Sequence, residues 1–437
     1  MTKLWQKENI INKSNLQGKV EAFTIGTDKI WDLYIAEYDV IGSLAHVKML
    51  ESIGLISSIE LYELEQGLSD ILNSIKQGKF IIEDGVEDVH SQVEILLTRA
   101  KGDIGKKIHS GRSRNDQALL DIKLLIKNEI ITLALKTEDL FNIFISLSNK
   151  YKNNLMPGYT HMQIAMPSSF GLWFGAYAES LCDDLELLIS AYNIANRNPL
   201  GSGAGYGSSF PLDRKKTTEL LGFENMNFNV VYAQMTRGKT EKVAAIALSA
   251  IAATLSKFAM DVCLYMNQNF GFISFPNELT TGSSIMPHKK NPDVFELVRA
   301  KSNIIQALPN QITLLVNNLP SGYHRDMQLT KESLFPAFNE LKNCLEMVIL
   351  MLENIIIKKD ILSDKKYNHI FSVELVNSLV LEGVPFRDAY LKVASLIENN
   401  EFESLPELNH THDGSIGNLR NDKIEEIFKS KLAKIVN

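Results

Sequence analysis

Cysteine is scarce in this chain of 437 residues, and the three cysteines that occur lie far apart. Cys182, Cys263 and Cys344 are odd in number, form no CxxC pair and have apolar neighbours in sequence. This spacing argues against a disulfide framework and against a site that binds zinc through cysteine. We expect three reduced, mostly buried thiols in a cytoplasmic protein.

Long hydrophobic runs are also missing. Residues 1–8 contain no apolar core of a signal peptide. No segment reaches the roughly 20 uninterrupted apolar residues of a membrane span. The nearest candidate, residues 243–266, is interrupted by Ser249, Ser256, Lys257 and Asp261. It is better explained as a buried helix, and we expect no membrane partner.

Positive charge is not in excess. The formal net charge is −7, which argues weakly against a nucleic-acid partner but not against an anionic substrate, because a cleft can be locally basic. Nine histidines occur without a His-Glu-x-x-His motif, and His410 and His412 lie in a polar segment. The glycine-rich run 201–207 lacks a Gly-Lys-Ser/Thr ending. We expect neither a metal nor a nucleotide cofactor.

Helical periodicity dominates what is present, and strand signals are sparse, with residues 79–83 as the best short candidate. Gly54 divides a helical pattern over 44–72 into two, and Ser57 and Ser58 are candidate caps for the second helix. Longer patterns cover residues 115–155, 167–196, 240–269, 292–318 and 331–357. Helices of this length favour an all-α bundle with a shared elongated core. Stretches that are apolar on every side suggest further cover from other subunits.

The strongest local signal is the segment 282–292, Gly-Ser-Ser-Ile-Met-Pro-His-Lys-Lys-Asn-Pro. The glycine and serines predict a mobile loop with free N–H groups and two hydroxyls. Lys289 adds a cation, and Asn291 with Pro292 begins a helix whose N-terminal dipole favours anions. Together these groups predict a site that can hold a carboxylate.

This string closely resembles the signature loop of the aspartase/fumarase superfamily. Residues 110–117, Ser-Gly-Arg-Ser-Arg-Asn-Asp-Gln, and 156–163, Met-Pro-Gly-Tyr-Thr-His-Met-Gln, resemble two other shared regions. The Ser-Arg-Asn-Asp-Gln string is similar to that of the argininosuccinate lyases and the related δ-crystallins. The resemblance, which extends from about residue 23 to 387, implies a homotetramer built around long helices.

The resemblance also implies an activity, the β-elimination of argininosuccinate to arginine and fumarate. An adenylosuccinate-cleaving enzyme is the nearest alternative, since the segment 286–292 is slightly similar to that family. A structural protein without activity, as some crystallins are, is the alternative from another class. It is weaker because the expected base, acid and anion-binding residues are all retained.

Roles for individual residues follow from the matching positions. The resemblance implies Ser283 as general base, His161 as general acid, Glu296 as the partner that orients His161, and Lys289 as a group that stabilises the developing charge. It implies substrate contacts at Arg114, Asn115, Thr160, Gln163, Ser284, Asn291, Tyr323, Gln328 and Lys331.

Two positions depart from the family pattern. Asp28 stands where the family has a substrate-binding serine. The loop 235–242 is basic but unusual, and Arg237, Lys239 and Lys242 are all candidates to bind a carboxylate. We expect three parts of the chain: a mainly helical N-terminal domain (1–109), a central bundle that forms the oligomeric core (110–360) and a small helical C-terminal domain (361–437).

Overall fold

The computed structural model describes residues 15–403 and 408–436. Its helices are α1 (Asn15–Ile25), α2 (Asp28–Ser52), α3 (Ser58–Lys76), α4 (Val89–Lys101), α5 (Asp103–Lys106), α6 (Arg114–Lys150), α7 (Phe170–Ala195), α8 (Arg214–Leu220), α9 (Val230–Met235), α10 (Lys239–Met266), α11 (Asp293–Leu315), α12 (Thr330–Glu353), α13 (Ser372–Leu381), α14 (Phe386–Glu398) and α15 (Asn421–Val436). The strands are β1 (Leu155–Thr160), β2 (Gln163–Ser169), β3 (Arg197–Asn198), β4 (Asn225–Met226), β5 (Ile273–Ser274) and β6 (Ile356–Ile357). The predicted all-α class is confirmed.

Local sequence explains where the predicted helices begin and end. Gly54, with φ of +77°, separates α2 from α3. Ser57 caps α3 through a capping box in which Ser57 and Glu60 satisfy each other's backbone N–H groups. Pro292 rather than Asn291 accepts the first backbone hydrogen bond of α11, from Glu296. The predicted start of that helix was therefore one residue early.

Contacts between residues divide the chain into two compact units. The first unit contains the residues up to Leu133 together with Leu187–Ala250 and Ile304–Leu341. In its apolar core Ala45, Leu120 and Phe223 belong to one buried cluster. The second unit contains Ala134–Glu186, Ile251–Asn303 and the residues from Lys342 onward. The domain boundaries predicted after residues 109 and 360 remain predictions.

Aromatic side chains fill the core of the second unit. The ring of Phe258 lies 5.0 Å from that of Phe144 and 5.3 Å from that of Trp173, measured between ring centres. The indole N–H of Trp173 and the hydroxyl of Tyr177 both donate to Oδ2 of Asp261, at 3.0 and 2.7 Å. The Asp261 carboxylate thus has two hydrogen-bond partners, as buried polar groups require.

Helix α10 is long and apolar enough to cross a membrane by length and composition alone. However, 56% of its most apolar window is buried within the protein, as in a core helix. Its side chains at Ala244, Leu248 and Leu255 are fully buried. The buried helix predicted over 243–266 is confirmed.

Two predictions about local structure are wrong. Residues 79–83 form no strand: the N–H of Lys79 donates to the carbonyl of Ser74, and that of Glu83 to the side chain of Gln92, at 2.9 Å each. Residues 155–169, where the helical patterns predict one helix up to 155 and the next from 167, instead contain a β-hairpin in which β1 pairs antiparallel with β2. The following helix α7 therefore begins at Phe170 and not at Pro167.

The glycine-rich loop after α7 is fixed rather than flexible. Leu200, Gly201, Ser202 and Gly203 are buried. Gly201 and Gly203 have φ of +83° and +60°, a region that glycine reaches without steric cost. Their N–H groups bind a buried carboxylate, which ties the loop to the start of α6.

Candidate active site

The predicted substrate contacts of the first unit line a cavity of about 170 Å³. It is lined by five of them, Arg114, Asn115, Tyr323, Gln328 and Lys331. The other lining residues are Ile25, Asp28, Asp32, Glu87, Asp88, His90, Ala118, Arg237 and Arg325. We call this cavity the charged pocket, because acidic and basic side chains alternate around it.

Asp116 positions Arg114 and Asn115 at the start of α6. Its Oδ1 accepts the N–H of Ser113 at 2.9 Å, and its Oδ2 accepts the N–H groups of Gly201 and Gly203 at 3.0 and 2.8 Å. Burial raises the pKa of Asp116 to about 6, although these hydrogen bonds oppose the rise. The carboxylate thus fixes the start of α6, which carries Arg114 and Asn115 at the charged pocket.

Arg114 links two helices. Its Nη1 donates to Oδ2 of Asp88 at 2.8 Å, and its Nη2 donates to Oγ of Ser91 at 2.7 Å. Asp88 also caps α4 by accepting the N–H of Ser91. Two guanidinium nitrogens are therefore used to hold α6 against the start of α4. Its contact with a substrate carboxylate remains a prediction.

Lys331 lies between two carboxylates. Its Nζ is 2.6 Å from Oδ1 of Asp28 and 2.6 Å from Oδ1 of Asp32. Oδ2 of Asp32 accepts the N–H of Val89 at 3.1 Å. Burial alone would lower the pKa of Lys331, but Asp32 and Asp28 raise it above its ordinary value. Lys331 is a permanent cation whose charge is already matched within the chain.

The segment before α12 holds the end of α1. Nε2 of Gln328 donates to the carbonyls of Thr24 and Ile25, at 3.2 Å each. Arg325 donates from Nε to Thr24 at 3.2 Å, and its Nη2 lies 3.3 Å from Oε1 of Glu87. Arg325 thus belongs to the charged pocket, a role that the sequence had not predicted for it.

Arg237 is the member of the basic 235–242 loop that reaches the charged pocket. Its Nε donates to Oε1 of Glu241 at 2.8 Å, its Nη2 donates to the carbonyl of Met327 at 3.2 Å, and its guanidinium lies 6.0 Å from the ring centre of Tyr323. Lys239 and Lys242 instead line a neighbouring cavity. Of the three candidates in this loop, Arg237 is therefore the one that lines the charged pocket.

A buried ionic cluster adjoins the charged pocket. His90 Nδ1 and Asp39 Oδ1 are 2.9 Å apart, and Gln117 donates to the same oxygen at 2.7 Å. Burial alone would lower the pKa of His90, but Asp39 and then Asp121 raise it to about 9. Burial raises the pKa of Asp121 well above its usual range. His90 is therefore an imidazolium at neutral pH.

The same cluster contains three side chains of types that bind metal ions. Within the described residues, Asp39, His90 and Asp121 bring one ligand atom each within 4.8 Å of one another. The imidazole nitrogen is already hydrogen-bonded to Asp39, and the charge of Arg112 acts on both carboxylates. Two cationic side chains thus already face these carboxylates, and burial disfavours the ionised form of Asp121, which a metal ligand would need. We assign no metal ion to it.

His161 lies at the tip of the hairpin in the second unit. Thr160 pairs with Gln163, so His161 and Met162 form the whole turn, with φ of +52° and +59°. Positive φ at both turn residues is typical of a type I′ hairpin. Residues 160–163 are all exposed, and the turn presents the imidazole to solvent.

The signature loop follows β5 and leads into α11. Asn291 donates its N–H to the carbonyl of Thr281 at 2.8 Å, which closes the loop at its base. Oγ of Ser283 accepts the N–H groups of Met286 and Ile285, at 3.2 and 3.4 Å. Ser284 is exposed on the same loop. The N–H groups of Ile285 and Met286, which the sequence predicts to be free, thus donate to the hydroxyl of Ser283, and the carboxylate site at this loop remains a prediction.

A second cavity, of about 540 Å³, lies between this loop and the end of α10. Lys289, Asn291 and Glu296 line it together. Across the described part of the second unit, no hydrogen bond or ion pair joins Glu296 to His161. Their expected pairing thus remains a prediction.

The comparison with known proteins covers nearly the whole chain. A family model described as Lyase matches residues 20–306. An argininosuccinate lyase of Phocaeicola vulgatus is 59% identical over 98% of this chain and 95% of its own length. An argininosuccinate lyase of Thermotoga neapolitana is 38% identical over 90% of this chain and 97% of its own length.

Solved structures share the fold at low sequence identity. An EDDS lyase variant with bound fumarate has a TM-score of 0.77 and 19% identity, and covers 95% of this chain and 90% of its own. A class II fumarase from Schistosoma mansoni has a TM-score of 0.71 and 16% identity, with 94% of each chain covered. These likenesses concern the fold alone.

Proposed function

The chain belongs to the argininosuccinate lyase family, and we propose that it splits argininosuccinate into arginine and fumarate by β-elimination. The observation that carries this proposal is the 59% identity over 98% of the chain to an argininosuccinate lyase. The charged pocket supports it, because a substrate with three carboxylates and two cationic groups requires protein charges of both signs.

The reaction needs a base, an acid and groups that stabilise negative charge. A proton leaves the carbon next to a carboxylate, the carbon–nitrogen bond to the guanidino group breaks, and the departing nitrogen gains a proton. Negative charge grows on the carboxylate next to the deprotonated carbon during the first step. Fixed donors placed around that charge lower the barrier more than contacts to the ground state do.

We propose Ser283 as the base. A serine hydroxyl needs groups that favour its alkoxide, and hydrogen bonds donated to the charged form have that effect. The N–H groups of Met286 and Ile285 already point at Oγ of Ser283. Lys289 and Asn291 are the proposed partners of the carboxylate that receives the developing charge.

We propose His161 as the acid that protonates the departing nitrogen. A solvent-exposed imidazole on a hairpin tip can exchange its proton with water between turnovers. Glu296 is the proposed orienting carboxylate. Thr160 and Gln163, which flank the tip, and Ser284 on the loop are proposed substrate contacts.

We further propose a cytoplasmic homotetramer whose active sites combine residues of different subunits. Large apolar side chains are exposed on two long helices, Met260 on α10 and Leu297, Ile304 and Leu314 on α11. Apolar exposure of this kind favours cover by another chain. The three cysteines are free thiols, which fits a reducing compartment.

The test of this function is fumarate release, followed by ultraviolet absorbance, with argininosuccinate and adenylosuccinate supplied separately. Fumarate from argininosuccinate alone, with arginine as co-product, is the expected result. Fumarate from adenylosuccinate alone would keep the chemistry and contradict the proposed substrate. No fumarate from either, in a folded enzyme, would contradict the proposed activity.

A further inference from the structure

We propose that Asp28 is a specificity-determining residue that binds the α-ammonium group at the arginine end of the substrate. The inference rests on the proposed function, since argininosuccinate carries such a group at that end. It concerns a position where the sequence departs from the serine expected by resemblance to the family.

Asp28, Asp32 and Lys331 form one ion-pair group. Within it, Asp28 carries the carboxylate that a ligand can reach. It lies in the first turn of α2 and lines the charged pocket. Its side chain is 16% exposed, whereas that of Asp32 is 2% exposed and already accepts the N–H of Val89. A ligand in the pocket therefore meets Asp28 before it meets Asp32.

The ion-pair group has a surplus of negative charge. Asp28 and Asp32 each lie 2.6 Å from the single ammonium of Lys331. Two carboxylates on one cation leave one negative charge, which is costly in a half-buried site. Within the described residues, the ammonium of Lys331 is the one polar group recorded against the Asp28 carboxylate, and Oδ1 of Asp28 is buried without a well-aligned hydrogen bond. A cationic ligand group would supply both the missing charge and the missing donor.

Arg237, which also lines the pocket, offers a match for a carboxylate. Arg237 uses Nε and Nη2 on Glu241 and Met327, and its Nη1 donates to no residue in the described ranges. Burial raises the pKa of Asp28, and the charges of Lys331 and then Arg237 oppose the rise, so a further cation beside Asp28 would favour its charged form. A free amino-acid end carries an ammonium group and a carboxylate on adjacent atoms. Asp28 and Arg237 together present the complementary pair of charges.

Comparing the affinities of two ligands distinguishes recognition of the α-ammonium group by Asp28 from a general effect on the pocket. Arginine and 5-guanidinopentanoate have the same chain, guanidinium and carboxylate, but only arginine carries the α-ammonium group. Dissociation constants measured by calorimetry need no turnover. We expect the wild-type enzyme to bind arginine about 10- to 100-fold more tightly than 5-guanidinopentanoate, the range of a charge-assisted hydrogen bond.

Asp28→Asn tests the residue itself, because asparagine keeps the shape and removes the charge. The preference for arginine should fall to within about 3-fold, while fumarate affinity stays unchanged. Asp28→Glu should restore part of the preference. Asp103→Asn, an exposed carboxylate of α5, is the matched control and should keep the wild-type ratio. A role limited to holding Lys331 would weaken both ligands equally and leave the ratio intact.

The outcomes separate this inference from the proposed function. An enzyme that cleaves argininosuccinate but binds both ligands equally overturns the role of Asp28, even if the variants do not fold. A ratio that survives Asp28→Asn overturns it as well. A wild-type enzyme that releases no fumarate from argininosuccinate overturns the proposed function instead, whatever the arginine ratio is.

Discussion

Nδ1 of His90 lies 2.9 Å from Oδ1 of Asp39. Both side chains are buried, so water cannot take the place of either partner. The pair joins α2 to α4 directly beneath the charged pocket. Asp121 adds a second carboxylate 3.7 Å from the same nitrogen. The elements that carry Asp28, Asp32 and Asp88 are thus held by one buried imidazolium.

His90→Gln should lower the free energy of unfolding by about 3 kcal/mol, because it leaves buried carboxylates without a matching charge. Urea denaturation followed by circular dichroism measures this loss. His412→Gln, at an exposed histidine, is the control and should change stability by less than about 0.5 kcal/mol. Equal values for the two variants would contradict the buried ion pair.

The same pair predicts a dependence of stability on pH. The folded-state pKa of His90, about 9, lies above the ordinary value of about 6.5 for an unfolded chain. The stabilisation is therefore complete below about pH 6.5 and is lost as pH rises through about 9. The stability difference between wild type and His90→Gln should shrink by about 2 to 3 kcal/mol between pH 6 and pH 10. A constant difference would show that His90 is neutral in the folded protein.

Asp116→Asn should destabilise the start of α6. Three N–H groups converge on the carboxylate, and an amide presents one acceptor oxygen and one donor nitrogen in its place. We expect a loss of about 1 to 3 kcal/mol in the free energy of unfolding and a higher KM, because Asn115 shifts with the helix end. Asp139→Asn, at an exposed site on the same helix, should leave both unchanged. A stable variant with wild-type KM would remove Asp116 from its positioning role.

Arg237→Lys and Lys242→Gln test which basic residue of the 235–242 loop belongs to the active site. Lysine keeps the charge of Arg237 but loses the planar fork that contacts Glu241 and Met327. We expect kcat/KM to fall by about 100-fold in Arg237→Lys, roughly the value of two lost charge-assisted contacts. Lys242→Gln should change it by less than about 2-fold. The reverse order would place Lys242 in the site.

Ser283→Ala should lower kcat by about 10³-fold, the contribution expected of a positioned general base. The fold should be unaffected, since the hydrogen bonds of Ser283 Oγ within the described residues come from N–H groups of its own loop. Ser58→Ala, at an exposed serine of α3, serves as the control. Turnover within about 10-fold of wild type would mean that another group removes the proton.

Periodicity was sufficient to predict the long helices, because each repeats apolar side chains over many turns. α10 and α12 begin within one residue of the predicted starts. The hairpin was missed, since β1 and β2 are short and contain proline at positions 157 and 167, and proline within an apolar run argues against a strand. The short apolar run 80–82 indicated a strand, but a strand also needs a partner, which sequence alone does not supply.

The residues of the candidate site were likewise predicted only in part. The motif residues Arg114, Asn115, Tyr323, Gln328 and Lys331 were predicted and come together in one pocket. The ionic cluster was missed, although one signal was available. Asp32 and Asp39 lie seven residues apart on α2 and are both buried, and an acidic residue on an apolar helix face is rarely left without a partner. The basic residue that pairs with Asp39 lies on α4. Where α4 packs cannot be predicted from any local sequence pattern.

The residues at the hairpin tip, His161 and Met162, make the folded state less stable than the usual turn residues would. A two-residue turn with positive φ at both positions favours Asn-Gly, whereas this chain has His161 and Met162, at a cost of about 1 kcal/mol or more per residue. A redesign aimed only at heat resistance would select Asn-Gly at this turn and would succeed by that measure. The same exchange would delete the proposed proton donor, so thermal screens of this enzyme should exclude residues 161–162 from mutagenesis.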